Sequence, residues 1–187
     1  MGHPLLDLTK KTAVVIGGTS GIGLALTRAL AQAGADVIPT GRRAEQVNAA
    51  VSEVKALGRR SLARPCDVTD PASLEQLLQA VTGEFGSVQV LVNSAGRTKR
   101  TPTLEVPDSE WNGILETNLN GTLRACQVFG RHMSRTTCPS ARGTAMTSGL
   151  FPTRGSAAPQ GGRLGRVLVQ QIPIMPSVCR RESINLS

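Results

Sequence analysis

The run Ala13-Val14-Val15-Ile16, apolar and mostly β-branched, stops on Gly17 and Gly18, and a helical period begins at Ile22. A short buried strand that breaks on glycine and feeds straight into a helix needs parallel neighbours, and the rest of the chain can supply them. Ile22, Leu26 and Leu30 recur at helical spacing, with Gly34 as a C-terminal stop. Residues 36–40 form a second strand, although Pro39 lacks a ladder donor. A helix over 44–57 ends at Gly58, and residues 61–66 form a third strand. Asp70-Pro71 supplies an acidic N-cap and a proline at the first helical position, opening a helix that runs to about Gly83. Residues 88–92 are the fourth strand. Residues 107–133 read as one long helix, with Trp111, Ile114, Leu115, Leu119 and Leu123 at helical spacing and local weakness at Gly113 and Gly121.

Four strands alternating with helices define an α/β fold, a doubly wound parallel sheet. Right-handed crossovers put the first strand in the centre, the third and second to one side and the fourth to the other. Ligands of such sheets lie across the carboxyl ends of the strands, where the winding reverses. Composition agrees: aromatics are only 2% of 187 residues and tyrosine is absent, so the core is built from Val, Leu, Ile and Ala. The glycines then acquire a chemical meaning. Gly17, Gly21 and Gly23 stand as G-x-x-x-G-x-G between a strand and a helix. One glycine permits the tight turn, another lets backbone approach a pyrophosphate, and the helix N-terminus offers free amides to the anion. The same glycines also suit a purely structural strand-to-helix turn.

Charge divides the chain in two. Through Met133 there are 14 Lys and Arg against 12 acids; the last 54 residues hold seven Arg, no Lys and one acid, Glu182. The arginines are scattered, with a single aromatic residue, Phe151, among them rather than an interleaved set, so nucleic-acid binding is not expected. No apolar run can span a bilayer, and a membrane partner is not expected either. The opening residues carry no secretory pattern, and Leu6 stands where a myristoylation signal needs Ser or Thr. Cys66, Cys126, Cys138 and Cys179 lack C-x-x-C spacing, and with only His3 and His132 no metal site is expected. The expected setting is a cytoplasm with reduced thiols.

Four motifs and a lead-in segment together resemble the short-chain dehydrogenase/reductase family over about residues 5–133. VIGGTSGIG resembles its T-G-x-x-x-G-I-G fingerprint, with Ile16 in place of Thr; Cys66-Asp67-Val68 resembles its D-V segment. Asn93-Ser94-Ala95-Gly96 resembles N-N-A-G, Trp111 to Asn118 resembles W-x-x-x-x-x-x-N, and Leu8-Thr9-Lys10-Lys11 resembles the usual approach to the first strand. The resemblance implies a Rossmann fold, incomplete on its C-terminal side. It also implies a nicotinamide dinucleotide held by Gly17, Thr19, Ser20, Gly21, Ile22, Gly23, Asp67, Val68, Asn93, Ala95 and Gly96. At the end of the second strand, Gly41 stands where an acid would grip a ribose hydroxyl, and Arg42-Arg43 follow. An unopposed guanidinium pair suits a 2′-phosphate, which favours NADP over NAD, with Arg42 as the contact; arginines merely solvated at a helix start are the alternative.

Catalysis is where the resemblance breaks. The family uses an Asn, a Ser, and a Tyr four residues before a Lys. Asn118 matches the first and Ser148 is the one candidate for the second, but no Tyr exists and no Lys follows Lys99. The expected function is therefore an NAD(P)-dependent oxidoreductase acting on a small alcohol or ketone, catalytically impaired. The alternative is a non-catalytic dinucleotide-binding or regulatory protein with a basic partner-binding tail. Residues 1–133 form the dinucleotide-binding part and 134–187 an irregular basic tail, in which only 164–174 is locally apolar and suits a short edge strand limited by Pro173. Without that strand, residues 88–92 would be an open apolar sheet edge. The family's homo-oligomerisation draws on the second half and is in question here.

The shift to Lys-free, nearly acid-free composition near Met133 is that of a changed reading frame, or else of a splice-like or naturally diverged end. Sequencing the gene around codons 130–140 tests this. A frameshift requires that a one- or two-base change restore a Y-x-x-x-K reading downstream, and its absence would dismiss the idea.

Overall fold

A computed structural model describes residues 7–137 and the strand at 166–169. Strand β1 (Thr12–Ile16) is wholly buried at the centre of a parallel sheet, between β2 (Asp36–Thr40) and β3 (Val90–Asn93). Its last residue, Ile16, lies in register with Thr40 on one side and Asn93 on the other. Alternate residues of these strands divide between two apolar layers, as the two-residue period of a strand dictates. Val14, Ile16, Ile38 and Leu91 face helices α3 (Pro71–Phe85) and α5 (Gly121–Thr137), packing with Leu74, Leu77, Ala125 and Phe129. Ala13, Val15, Val37 and Val92 face α1 (Gly21–Gln32) and α2 (Ala44–Ala56) through Ala31 and Val54. Helices thus cover both faces, and the α/β doubly wound Rossmann arrangement is present. With so few aromatics, Phe129 is the largest fully buried side chain among the described residues.

The helix starts follow the local signals. Asp70 accepts a hydrogen bond from the Ala72 amide at 3.0 Å and Pro71 occupies the first helical position. The helix runs on to Phe85 before Gly86 ends it at positive φ. Among the described residues no helix is long and apolar enough to cross a membrane.

Two expected elements require correction. The segment 61–66 lies beside β2 but forms no ladder strand. Val37 donates to the Arg60 carbonyl at 3.2 Å and Cys66 donates to the Gly41 carbonyl at 3.0 Å, so both ends of a parallel pairing exist. Between them the next donor of β2 would be residue 39, a proline. Hydroxyls fill the gap: Ser61 donates to the Val37 carbonyl at 2.6 Å and Thr40 to the Arg64 carbonyl at 2.6 Å. One missing amide breaks the ladder without moving the segment.

The long helix expected over 107–133 is two helices, α4 (Asp108–Leu115) and α5, joined by a π-helical turn, Glu116–Asn120. The widened turn shifts the side-chain faces. Ile114 is buried and Leu115 half-buried, while Trp111, before the turn, and Leu119 and Leu123, within and after it, are exposed rather than core. Gly121 is a contact glycine rather than a weak point, since a β-carbon there would lie 2.7 Å from Val68 Cγ2.

The sheet also continues past β3. Strand β4 (Arg166–Val169) pairs with it in parallel, Val90 with Arg166 and Asn93 with Val169. This strand lies within the stretch assigned to an irregular tail, at its one locally apolar segment, and it covers the β3 edge. The sheet order is β2-β1-β3-β4.

On α5, His132 Nε2 is buried with no partner among the described residues, and burial pushes its imidazole below the ordinary histidine value. The unfolded chain therefore binds a proton near pH 6.5 that the folded chain resists. Stability is present above that pH and falls as the solution is acidified through it. In denaturant titrations between pH 7.5 and 5, His132→Leu should flatten this decline. An unchanged slope would exclude His132 as its source.

Candidate functional site

A cleft of about 390 Å³ opens at the carboxyl ends of β1, β2 and β3. Its floor is the turn after β1. Gly17 holds φ at +79° while its amide donates to the Thr40 carbonyl at 2.8 Å, and Gly18 donates to the same oxygen at 3.1 Å. A β-carbon on Gly17 would stand 2.5 Å from the Ala95 nitrogen, and one on Gly23 would stand 2.0 Å from the Gly17 carbonyl oxygen. Backbone thus packs on backbone at both places. The buried Thr27 hydroxyl lies 3.1 Å from the Gly18 carbonyl oxygen and 3.0 Å from that of Gly23, tying turn to helix.

The start of α1 borders this floor. Its first internal bond runs from Leu24 to the Ser20 carbonyl, and the Ser20 side chain caps nothing. The amides of Gly21, Ile22 and Gly23 are left without a partner among the described residues, as helix geometry requires. Gly21 sits at φ +51° with nothing within 4 Å of where a β-carbon would be. Thr19 supports the opposite lip, its Oγ1 lying 3.1 Å from where a β-carbon on Gly41 would be. Ile22 is half exposed in the wall of the cleft.

The second wall comes from β2 and the segment beyond 61–66. Arg42, Arg43 and Gln46 line it with Asp67 and Val68. Burial works to raise the Asp67 carboxyl, but hydrogen bonds from the Thr69 amide at 2.9 Å and hydroxyl at 2.8 Å outweigh it. The positive charge of Arg42 adds to the effect, and the group is held below the ordinary aspartate value. Arg42 therefore shares its space with a carboxylate, so the guanidinium pair is not unopposed. Cys66 also lines the cleft, and burial pushes its thiol up, which keeps it neutral.

The third wall is Ser94, Ala95 and Gly96, placed by the Ser94 amide donating to the Ile16 carbonyl at 2.8 Å. Asn93 stands behind this wall rather than in it. It is buried, its Nδ2 donates to Cys126 Sγ at 3.4 Å, and its Oδ1 has no partner among the described residues. Asn118 is likewise outside the lining. Both ends of its amide clamp one residue: Oδ1 accepts from the Arg97 amide at 2.8 Å and Nδ2 donates to the Arg97 carbonyl at 3.0 Å. Its neighbour Thr117 reaches the cleft instead. Ser148 lies outside the described residues. Gly17, Thr19, Ser20, Gly21, Ile22, Gly23, Arg42, Asp67, Val68, Ala95 and Gly96 thus converge on one cavity.

Sequence reasoning did not single out Gln46, Thr117 or the thiol of Cys66 as liners. Gln46 was within reach of it, lying one helical turn beyond Arg42. Thr117 was not, because the π-helical turn sets which residue faces inward.

The sequence matches the model of the short chain dehydrogenases over residues 11–144. The chain belongs to that family. Among curated relatives, the gluconate 5-dehydrogenase of Gluconobacter oxydans is 35% identical over 134 residues, covering 71% of this chain and 52% of that protein. The 3-oxoacyl-[acyl-carrier-protein] reductase of Escherichia coli is 40% identical over 130 residues, covering 70% and 52%. Among solved structures, a short-chain alcohol dehydrogenase of Sinorhizobium meliloti superposes with a TM-score of 0.68 at 34% identity, covering 72% of this chain and 53% of that one. A short chain dehydrogenase of Burkholderia cenocepacia, solved in complex with NADP, gives 0.64 at 35% identity, covering 67% and 52%. The chain spans about half the length of the short-chain dehydrogenases it matches.

The two positive-φ glycines of this cleft should respond differently to a β-carbon. Gly21→Ala meets only the left-handed penalty of about 1–2 kcal/mol. Gly17→Ala meets the same penalty and a collision with Ala95 backbone, so urea melts should show a clearly larger loss. Equal losses would mean that the β1–β3 approach relaxes freely.

Proposed function

We propose that the cleft binds a nicotinamide dinucleotide, NADP in preference to NAD, and that this chain holds the cofactor without turning over substrate. The observation that carries the reading is the pairing of three free α1 amides with a turn in which backbone packs on backbone. A β-carbon on Gly21 would meet nothing within 4 Å, and unpartnered amides at a helix start suit an anion such as a pyrophosphate. The donor set fits the group. Gly21, Ile22 and Gly23 would receive the pyrophosphate, with Thr19 and Ser20 beside it. Asp67 and Val68 would flank the adenine, and Arg42 with Arg43 would meet a 2′-phosphate. The neighbour from Burkholderia cenocepacia, solved with NADP, supports the choice of phosphate.

A bound nicotinamide supplies or accepts a hydride in exchange with an alcohol or ketone, the substrate class to which the relatives' names point. Such a transfer needs a group that gives or takes a proton at the carbonyl oxygen. The described cleft has no such group poised. Hydrogen bonds from Thr69 hold the Asp67 carboxyl below the ordinary aspartate value, which makes it a weak base, and burial holds the Cys66 thiol above its ordinary value, which makes it a weak acid. Asn118 has both amide ends committed to Arg97. The sequence offers no tyrosine to take the role, and no lysine after Lys99 to tune one.

Fluorescence titration of the full chain should show tighter binding of NADPH than of NADH, with the difference erased in Arg42→Ala. Loss of a charge-assisted phosphate contact is worth about 1.5–3 kcal/mol. A ketone-reduction assay with NADPH should stay at background. Equal affinity for the two cofactors would refute the role of Arg42, and turnover would refute the silent site.

A further inference from the structure

The π-helical turn Glu116–Asn120 and the start of α5 touch the two far walls of the cleft between them, and their contacts form one connected set. Toward the 94–96 wall, Asn118 clamps the backbone of Arg97, the residue that follows Gly96. Toward the Asp67–Val68 wall there are two contacts. Gly121, immediately after the turn, packs so closely on Val68 that a β-carbon would lie 2.7 Å from its Cγ2. One turn on, Arg124 Nη1 reaches the Thr69 carbonyl at 3.4 Å and pairs closely with Glu116 Oε1. Glu116 is itself fixed from within the turn, accepting from Asn120 Nδ2 at 2.5 Å.

We infer that Arg124, braced by Glu116, is a positioning residue that holds the Asp67–Thr69 turn in place and so sets the adenine-side wall of the cleft. The chain of contacts is short. Arg124 fixes the carbonyl of Thr69; the amide and hydroxyl of the same residue donate to Asp67 Oδ1 at 2.9 and 2.8 Å. Thr69 is therefore held at its carbonyl and holds the carboxylate with its donors. Arg124 touches no ligand directly, since it does not line the cleft. A guanidinium suits the task because it can donate to the Glu116 carboxylate and to a backbone carbonyl at once. The side chains of Arg124 and Glu116 are only 30% and 37% exposed, so water competes less than at an open surface pair. The consequence for binding rests on the dinucleotide reading of the cleft; the consequence for the Thr69 turn does not.

The experiment measures amide hydrogen exchange by NMR on the full chain, together with titration by NADPH and by adenosine 2′,5′-bisphosphate, which occupies the adenine side alone. In Arg124→Ala, the Thr69 amide should exchange about tenfold faster while the amides of β1 keep their protection. Affinity for both probes should fall roughly three- to tenfold, the scale of one ordinary net hydrogen bond. Arg124→Lys should restore part of both, and Glu116→Gln, which keeps the shape and removes the charge, should weaken both in the same direction. Should Arg124→Ala fail to fold, the other two variants carry the same readouts. Unchanged Thr69 exchange in the folded variants overturns the inference, whatever the probes do. If the unaltered chain binds neither probe, the dinucleotide reading fails, and the exchange measurement still decides the role of Arg124.

Discussion

Everything at the functional end of this molecule depends on the absence of two β-carbons. Gly17 lets the end of β1 lie against the backbone of Ser94 and Ala95, and Gly23 lets the first turn of α1 lie against Gly17 itself. A strand, a helix start and a loop from a second strand are thereby drawn to within van der Waals distance at one place. The buried Thr27 hydroxyl, between the carbonyls of Gly18 and Gly23, satisfies polar groups that this closeness would otherwise strand. Backbone that approaches backbone so closely leaves amides, rather than side chains, as the surface a ligand meets.

The same economy explains what was legible in the sequence. Element type and order follow from local causes: β-branched runs for β1 and β3, an Asp-Pro start for α3, glycine stops after α1 and α2. The glycine turn could be placed because its neighbours on both sides were unambiguous. The cleft wall at Asp67 and Val68 and the loop at 94–96 were legible through their resemblance to the family's motifs, not through element spacing alone.

What could not be read depended on non-local balance. The segment at 61–66 has strand composition, yet its pairing turns on whether β2 offers a donor at position 39, and proline does not. The division of the 107–133 helix depends on how Asn118 and Gly121 meet Arg97 and Val68, contacts that helical spacing does not reveal. That division also bears on Leu119 and Leu123, which would share the face of Ile114 and Leu115 only if the helix were regular throughout. The opposition between Arg42 and Asp67 was hidden for a similar reason, since the two are separated in the chain by a helix and an extended segment.

Strand β4 carries a consequence for the route by which the chain reaches this structure. The contacts of β1 with β2, and of each with its flanking helix, join residues close along the chain. Pairing of Val90 with Arg166 must instead close a loop that contains α4, α5 and everything between them and the strand. Closing long loops is slow, because the entropic cost comes before any contact repays it. The edge of β3 is thus the last part of the sheet to be covered, and synthesis from the N-terminus would lengthen the interval. During that interval, a second unfinished copy offers the same apolar strand an alternative partner. Yield on refolding should therefore depend on protein concentration more steeply than the stability of the finished fold would imply.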